Sequence, residues 1–208
     1  MKKQTSLEEK WNWISHGLGF LLAIVGLFLL LIFDTNKTAY SKFSIITYAI
    51  SLIVLYFSSS MYHYVVDTRL KSRFRVMDHI GIYLLIAGTY TPVTLIALIN
   101  GKGWFLFILV WSFAFLGSVL KLFYTGKFEF VSVLLYLIMG WLIVLDFSRL
   151  TDIVGSAGIS YLIYGGLAYT IGIIFYALKR LKFNHVIWHF FVLGGSIFHF
   201  IFIWKYVI

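Results

Sequence analysis

The stretch WISHGLGFLLAIVGLFLLLIF, residues Trp13–Phe33, is almost continuously apolar. The hydrocarbon core of a bilayer is about 30 Å thick and is crossed by about 20 apolar residues in a helix. This stretch therefore predicts a transmembrane helix. Six more apolar stretches of similar length follow in the chain: Phe43–Val66, Met77–Ile99, Trp104–Leu120, Phe128–Phe147, Gly158–Leu178 and His185–Trp204.

The composition supports this interpretation, because 61% of the residues are hydrophobic and only 12% are charged. A soluble domain of average make-up is much less apolar. The seven stretches use most of the chain, and short connections between them favour antiparallel packing of neighbouring helices. We therefore predict an all-α membrane protein in which residues 1–208 form one domain, a bundle of seven transmembrane helices.

The basic residues predict the orientation of the bundle. If the helices alternate in direction, twelve of the 17 Lys and Arg residues fall on the N-terminal side of the membrane. Cytoplasmic segments carry an excess of Lys and Arg, so the N-terminus is predicted to be cytoplasmic and the C-terminus outside. Basic loops beside anionic lipids also account for the net charge of +9, and no nucleic-acid partner is expected.

Histidines gather at the predicted cytoplasmic end of the bundle. His185 and His189 are four residues apart and share one face of the last helix, a spacing that lets two imidazoles hold one cation. His63 lies at a similar depth on the second helix and would complete the three-histidine set of a zinc site with an open position. The chain has no cysteine, so thiolate ligands are excluded. Zinc suits three histidines best, although copper, nickel and iron remain alternatives.

A structural role for the same histidines stays open, because paired histidines also form hydrogen bonds between membrane helices. His199 lies ten residues beyond His189, about 15 Å along the helix, and is predicted to pack by a hydrogen bond across the bundle. His16 is either a further polar neighbour of the cluster or a helix-cap contact, and the second interpretation is slightly favoured. Asp146 is expected at the outer end of its helix.

Asp78 is the intramembrane acid closest to this cluster in predicted depth. Since about 100° of helix rotation separates Asp78 from His79, the two are not expected to point at one centre, and Asp78 is the better inward group. Ser59 lies one turn before His63, where it either hydrogen-bonds the site or bonds its own helix. Pro92 is expected to bend the third helix and open space beside the bundle axis.

These segments resemble the haemolysin III family of bacterial membrane proteins, relatives of the progestin and adiponectin receptors. The similarity extends from the first helix to the last. It is carried by EKWNWISHGLG (Glu9–Gly19), SSSMYHYVVD (Ser58–Asp67), MDHIGIYLLIAGTYTP (Met77–Pro92) and HVIWHFFVLGGSIFH (His185–His199).

The resemblance implies a seven-helix bundle with a cytoplasmic N-terminus and a zinc site near the cytoplasmic face. By similarity His63, His185 and His189 would bind zinc, with Asp78 holding a water on the metal and Ser59 part of the same motif. Glu9, Asn12 and His16 form a further family cluster, to which we assign no role from the sequence.

Three functions are compatible with such a site in a bacterial cytoplasmic membrane. Zinc activates water and polarises carbonyl groups, and together with the resemblance this predicts hydrolysis of a ceramide-like lipid amide, with membrane lipids as partners. A non-catalytic sensor of membrane state with structural zinc is the alternative. A pore is disfavoured, because the outer halves of the helices lack a polar stripe. The sequence leaves the choice between enzyme and sensor open, and it does not predict the oligomeric state.

Overall fold

The computed structural model describes residues 4–208, and every regular element within that range is a helix. The predicted all-α class is confirmed. A π-helical turn, Val93–Ala97, follows the third helix, a 3-10 segment, Leu142–Asp146, precedes the sixth, and a second π-helical turn, Ile203–Val207, follows the seventh. The α-helices are α1 (Ser6–Ile32), α2 (Ser41–Tyr64), α3 (Thr68–Pro92), α4 (Gly103–Tyr124), α5 (Glu129–Gly140), α6 (Phe147–Ala177) and α7 (Asn184–Phe202).

Six helical segments in the described part of the chain are long and apolar enough to cross a membrane. The protein is therefore a multi-pass membrane protein. The sequence predicts seven spans, and the difference lies in Glu129–Ala177, where the fifth and sixth predicted spans join in one helical stretch of 49 residues. The polar residues between them do not form a loop, because α6 already begins at Phe147.

This stretch folds back on itself. The Tyr176 hydroxyl contacts Glu129 Oε2 at 3.4 Å, although the two residues are 47 positions apart. A straight helix would separate them by about 70 Å at 1.5 Å per residue. The helix is broken by the 3-10 segment and by Gly155, whose φ of 70° and ψ of 174° are not helical. The stretch thus consists of two limbs that lie side by side.

One end of the bundle, hereafter the basic end, collects the start of α1 and the α2–α3, α4–α5 and α6–α7 connections. Three contacts establish this grouping. Lys71 Nζ lies 3.0 Å from Glu9 Oε1, and Phe183 N lies 3.0 Å from Glu8 Oε1. The Arg75 guanidinium packs against Gly126, where an added Cβ would lie 3.0 Å from it. The predicted grouping of these segments at one end of the bundle is confirmed for the described residues.

The α2–α3 connection is shorter than predicted. The sequence places the basic residues 69–75 in a loop before a span that begins at Met77, whereas α3 already begins at Thr68. Asp67 caps the helix by accepting a hydrogen bond from Leu70 N at 2.8 Å, which satisfies one of the free N–H groups of the first turn. The basic residues are therefore held on a helix.

The bundle has an apolar outer surface and an apolar core in which many polar side chains are also buried. The side chains of Tyr48, Tyr56 and Tyr83 are fully enclosed, whereas Phe28 and Phe115 are 60% and 69% exposed, as expected for surfaces that face lipid. The centre of the bundle is α3, the most enclosed of the candidate spans. Immediately after Pro92 this helix changes into the π-helical turn, which is the local effect of a residue that donates no backbone hydrogen bond.

Candidate metal centre

Three imidazoles converge where α2 ends and α7 begins. The ring centroids of His185 and His189 are 4.6 Å apart, and each lies 5.1 Å from that of His63. One ring nitrogen from each residue lies within 4.8 Å of the other two. Among residues 4–208 this is the one group of three or more His, Cys, Asp or Glu side chains that could hold a metal ion. The structure thus brings together the three residues singled out by sequence.

Local structure fixes the positions of these rings. His63 is the penultimate residue of α2, and His185 is the second residue of α7. The α6–α7 connection ends at Phe183, whose φ is 58°, and its backbone N–H donates to Glu8 of α1. The first turn of α7 is therefore anchored to α1, which places both α7 histidines beside the end of α2.

Hydrogen bonds orient two of the rings. His63 Nδ1 lies 2.6 Å from Glu9 Oε2, so it donates to this carboxylate and its Nε2 remains available. His189 Nδ1 lies 3.4 Å from the Asn12 carbonyl oxygen, which can only accept. Within the described chain, Nε2 of His63 and Nε2 of His185 are buried without a hydrogen-bond partner. A carboxylate that holds one ring nitrogen and frees the other is the usual support of a histidine ligand.

His16 corrects one prediction. The sequence slightly favours a helix-cap contact, but Thr5 caps α1 and His16 lies in the second half of the third turn, facing inward. Its ring stacks on His189 with centroids 3.6 Å apart and planes 12° from parallel, and it meets Tyr56 edge-on at 5.0 Å. His16 is a fourth polar neighbour of the cluster and forms one wall of the site.

Asp78 and Ser59 line the same cavity as His185 and His189. Both are buried, at 9% and 0% exposure. Ser58 donates to its own helix at Leu55 O, whereas Ser59 Oγ makes no hydrogen bond to its own helix and lies beside the Asp78 carboxylate. The interpretation of Ser59 as a serine bonded to its own helix is therefore wrong.

His79 also lines this cavity, although it was not expected to face the same centre as Asp78. Its Nδ1 lies 2.7 Å from the Arg75 carbonyl oxygen, one turn earlier on α3. The cavity is broad enough for both neighbouring side chains to form part of its wall. Of Asp78 and His79, only Asp78 has a carboxylate.

Sequence reasoning missed Glu129, which lines the cavity from the start of α5. Its carboxylate lies 3.5 Å from Lys121 Nζ, 3.9 Å from His79 Nε2 and 3.4 Å from the Tyr176 hydroxyl. It thereby connects α5 to α4, α3 and α6. The sequence shows only a carboxylate at the edge of an apolar stretch, which gives no signal that it faces inward.

A second cavity adjoins the first and is almost entirely apolar. It lies among α3, α5, α6 and α7 and extends to His199, whose Nε2 is 3.3 Å from the Leu162 carbonyl oxygen. The predicted hydrogen bond of His199 across the bundle is confirmed. Both cavities share part of their walls: Leu55, Ile82, Tyr136, Ile173, Trp188 and Val192.

Comparison with known proteins identifies the family. Residues 4–200 match the family described as Haemolysin-III related. The chain belongs to this family. It is 42% identical to the Hemolysin-3 homolog of Bacillus subtilis (strain 168), with 92% of this chain and 91% of that protein covered. It is 40% identical to Hemolysin-3 of Bacillus cereus, with 97% and 92% covered.

A more distant haemolysin III relative is found in mammals. The human Monocyte to macrophage differentiation factor is 29% identical, with 99% of this chain and 87% of that protein covered. No solved structure matches the chain significantly. The family predicted from the four sequence motifs is confirmed.

The residues of this haemolysin III protein fit a divalent metal ion. The donor set is three imidazoles, one of them supported by a carboxylate, and two of the inward nitrogens have no partner within the described residues. Buried polar atoms nearly always have a partner, so these nitrogens favour a bound cation. The remaining side of the site faces a cavity that holds a carboxylate and a hydroxyl.

Proposed function

We propose that this protein is a zinc-dependent hydrolase of lipid amides in the bacterial cytoplasmic membrane, acting in membrane-lipid homeostasis. One observation carries the proposal: His63, His185 and His189 converge beside Asp78 at a cavity that adjoins an apolar cavity. The first cavity offers polar chemistry, and the second offers space for hydrocarbon. A substrate with a polar amide and an acyl chain matches both.

The proposed topology is a single domain that crosses the membrane seven times. The foldback of Glu129–Ala177 supports separate crossings by its two limbs, since Glu129 and Tyr176 meet at the basic end while Asp146 Oδ2 accepts from Lys102 N at the opposite end. The excess of basic residues supports a cytoplasmic basic end and N-terminus. An odd number of crossings then leaves the C-terminus outside.

Zinc is the proposed metal, held by His63, His185 and His189. Three imidazoles with one side open are the donor set of catalytic zinc sites. When bound, zinc supplies Lewis acidity, which lowers the pKa of water and polarises a carbonyl group.

The side chains around the site perform the remaining tasks. Asp78 faces the cavity as a carboxylate and accepts a proton from the attacking water. Ser59 Oγ lies beside Asp78 and makes no hydrogen bond to its own helix, and it donates to the carbonyl oxygen of the amide. The apolar cavity holds the acyl chain and excludes bulk water. Glu9 keeps His63 Nε2 directed at the centre by accepting from Nδ1.

The alternative is a sensor in which zinc is structural. It is favoured by one observation, the direct contact of Glu9 on α1 with His63 on α2, because a metal on His63, His185 and His189 would then tie α1, α2 and α7 together. Such a site would bind zinc without turnover.

The test is Asp78→Asn, assayed for zinc content and for cleavage of N-acyl lipids, ceramides first, in proteoliposomes. We expect about one zinc per chain in wild type and variant, with turnover reduced by at least about a hundredfold in the variant. Asp146→Asn is the matched control, because that carboxylate lies at the opposite end and bonds Lys102 N. Normal turnover by Asp78→Asn would refute the role of Asp78. Zinc without turnover in wild type would favour the sensor.

A further inference from the structure

A group of polar side chains outside the proposed zinc site lies between α3, α4 and α5. We call it the polar nest, and it consists of Tyr83, Ser118, Lys121 and Glu129. Each has one buried polar atom with no partner at normal hydrogen-bond distance among residues 4–208: the Tyr83 hydroxyl, Ser118 Oγ, Lys121 Nζ and Glu129 Oε1. The neighbours that come nearest to a hydrogen bond are Ser132 and Tyr136 for Tyr83, and Glu129 for Lys121. Lys121 is completely buried, its Nζ lies 3.5 Å from Glu129 Oε2, and the Arg75 guanidinium is close enough for its charge to act on Lys121.

Contacts between the helices hold the nest together. The Tyr83 ring packs directly against the backbone of α4 at Gly117, where an added Cβ would lie 2.2 Å from the ring. Ser118 is the next residue, and Lys121 follows it by three positions, which places both on adjoining surfaces of α4. The Tyr83 ring also lies 4.5 Å from that of Tyr136 on α5.

The chemistry of the nest identifies its occupant. Buried polar groups are rarely left without a partner, because each unmade hydrogen bond costs about 1–3 kcal/mol. Lys121 can only donate, ionised Glu129 can only accept, and the two hydroxyls can do both. An anion would be repelled by Glu129, and a cation by Lys121 and by the nearby Arg75. Water donates and accepts, and therefore matches the whole set.

The nest is connected to the zinc-site cavity and to the basic end. Glu129 belongs to the nest and also lines the cavity, and its side chain is 29% exposed. Its Oε1 lies 3.9 Å from His79 Nε2, another residue of the cavity wall. Lys121 is within one turn of the end of α4, beside the α4–α5 connection. Polar groups thus extend from this connection to the cavity.

We propose that the polar nest is a water inlet that supplies the zinc-site cavity from the basic end. Hydration of the nest follows from its own side chains, whereas its use in catalysis rests on the proposed hydrolase function. Each amide cleaved consumes one water, whose oxygen bonds to the acyl carbon as the C–N bond breaks. The products are a carboxylate and an ammonium group, because the leaving nitrogen takes up both protons of the water. Lipid enters through the apolar cavity and water through the nest, so the two substrates arrive by separate routes.

Cysteine labelling tests hydration directly, because the chain contains no cysteine and one substitution creates a single thiol. We would react Ser118→Cys in proteoliposomes with a sulfonated methanethiosulfonate, which does not enter lipid and reacts with the thiolate. Ala114→Cys is the matched control, since Ala114 lies one turn earlier on α4 and is completely buried in the apolar core. Lys127→Cys, in the exposed α4–α5 connection, gives the rate of an open site.

We expect Ser118→Cys to react at least about tenfold faster than Ala114→Cys, because the thiolate forms only where water reaches it. Equal, slow reaction of both would overturn the inference. Ser132→Cys on α5, one turn after Glu129 and 1% exposed, serves as a second probe if Ser118→Cys does not fold. The apparent melting temperature in detergent checks the fold of each variant.

Turnover of labelled Ser118→Cys tests the use of the inlet. We expect the bulky adduct to reduce turnover by at least about tenfold without loss of zinc, while unlabelled Ser118→Cys stays active. Rapid labelling with unchanged turnover would show a hydrated nest that is not the source of water and would overturn the inlet. A wild type that never cleaves lipid amides, combined with rapid labelling, would refute the hydrolase and leave hydration of the nest established.

Discussion

Replacement of Glu9 should weaken metal binding, although Glu9 is not a ligand. Its Oε2 lies 2.6 Å from His63 Nδ1, and the His63 side chain is 1% exposed, so Glu9 and not bulk water is the acceptor for Nδ1 in the wild-type protein. Removal of such a supporting carboxylate typically lowers metal affinity by about 10–100-fold, or about 1.4–2.7 kcal/mol. Glu9→Ala should approach the upper value, because it leaves Nδ1 without an acceptor from the protein.

Glu9→Gln should lie near the lower value. Its amide oxygen can still accept from Nδ1, but the bond is no longer charge-assisted, and charge-assisted bonds are about twice as strong as neutral ones. The Glu9 side chain is 27% exposed, which further limits the contribution of its charge. The expected order of zinc affinity is therefore wild type, Glu9→Gln, then Glu9→Ala.

The measurement is a competition titration of purified protein in detergent with a chromogenic zinc chelator. Lys71→Gln is the matched control, because it removes the other partner of Glu9, at 3.0 Å, and leaves the bond to His63 in place. Its zinc affinity should stay within about twofold of wild type, as expected for a partly exposed ion pair. Wild-type affinity in Glu9→Ala would refute the orienting role of this carboxylate.

Three further substitutions test the site and the packing of the bundle. His189→Ala should lose more than about a hundredfold in zinc affinity, which is more than the loss for a supporting residue, whereas His199→Ala should retain the metal. Equal zinc affinities of these two variants would refute the ligand set. Gly117→Ala should destabilise the bundle by about 1–3 kcal/mol in thermal unfolding, because its Cβ would lie 2.2 Å from the Tyr83 ring. Gly194→Ala is the control and should be neutral or stabilising, because its Cβ would meet nothing within 4 Å. Ser196→Ala should cost about 1–3 kcal/mol in the same assay, since the Tyr56 and Tyr169 hydroxyls lose a partner at 2.7 and 2.8 Å, and an unchanged melting temperature would contradict this.

Much of the fold was predictable, because membrane helices are set by local composition. Hydrocarbon requires long apolar stretches, and these are visible without tertiary information. The helical turns that extend beyond the apolar stretches could not be predicted from hydropathy. The first turns of α3 are rich in basic residues, and their helix is capped by Asp67.

The break between the fifth and sixth predicted spans shows a second limit. Residues 148–157 contain several polar side chains and were expected to form a connection, yet they continue as helix up to and beyond Gly155. The reversal instead depends on a 3-10 segment and on one glycine with a positive φ. Neither feature can be recognised from the hydropathy of the sequence.

The candidate site was predictable for those residues whose depth along the bundle is enough to place them together. His63, His185 and His189 lie at matching depths, so a bundle brings them together without further information. The partners of these residues depend on which faces meet, and sequence gives no such information. Glu9 on His63, His16 on His189, and Glu129 on three neighbouring helices were therefore found only in the structure.

The positions of the three histidines also constrain how the protein is made. His63 is on the second helix, whereas His185 and His189 are on the last. Ribosomes add about 5–20 residues per second, so on the order of ten seconds separates synthesis of the first imidazole from that of the other two. A nascent chain that lacks α7 carries one of the three donors and cannot hold the ion by this set. Metal acquisition would therefore mark the completion of membrane insertion, and retained zinc would report that the second and last helices have come together.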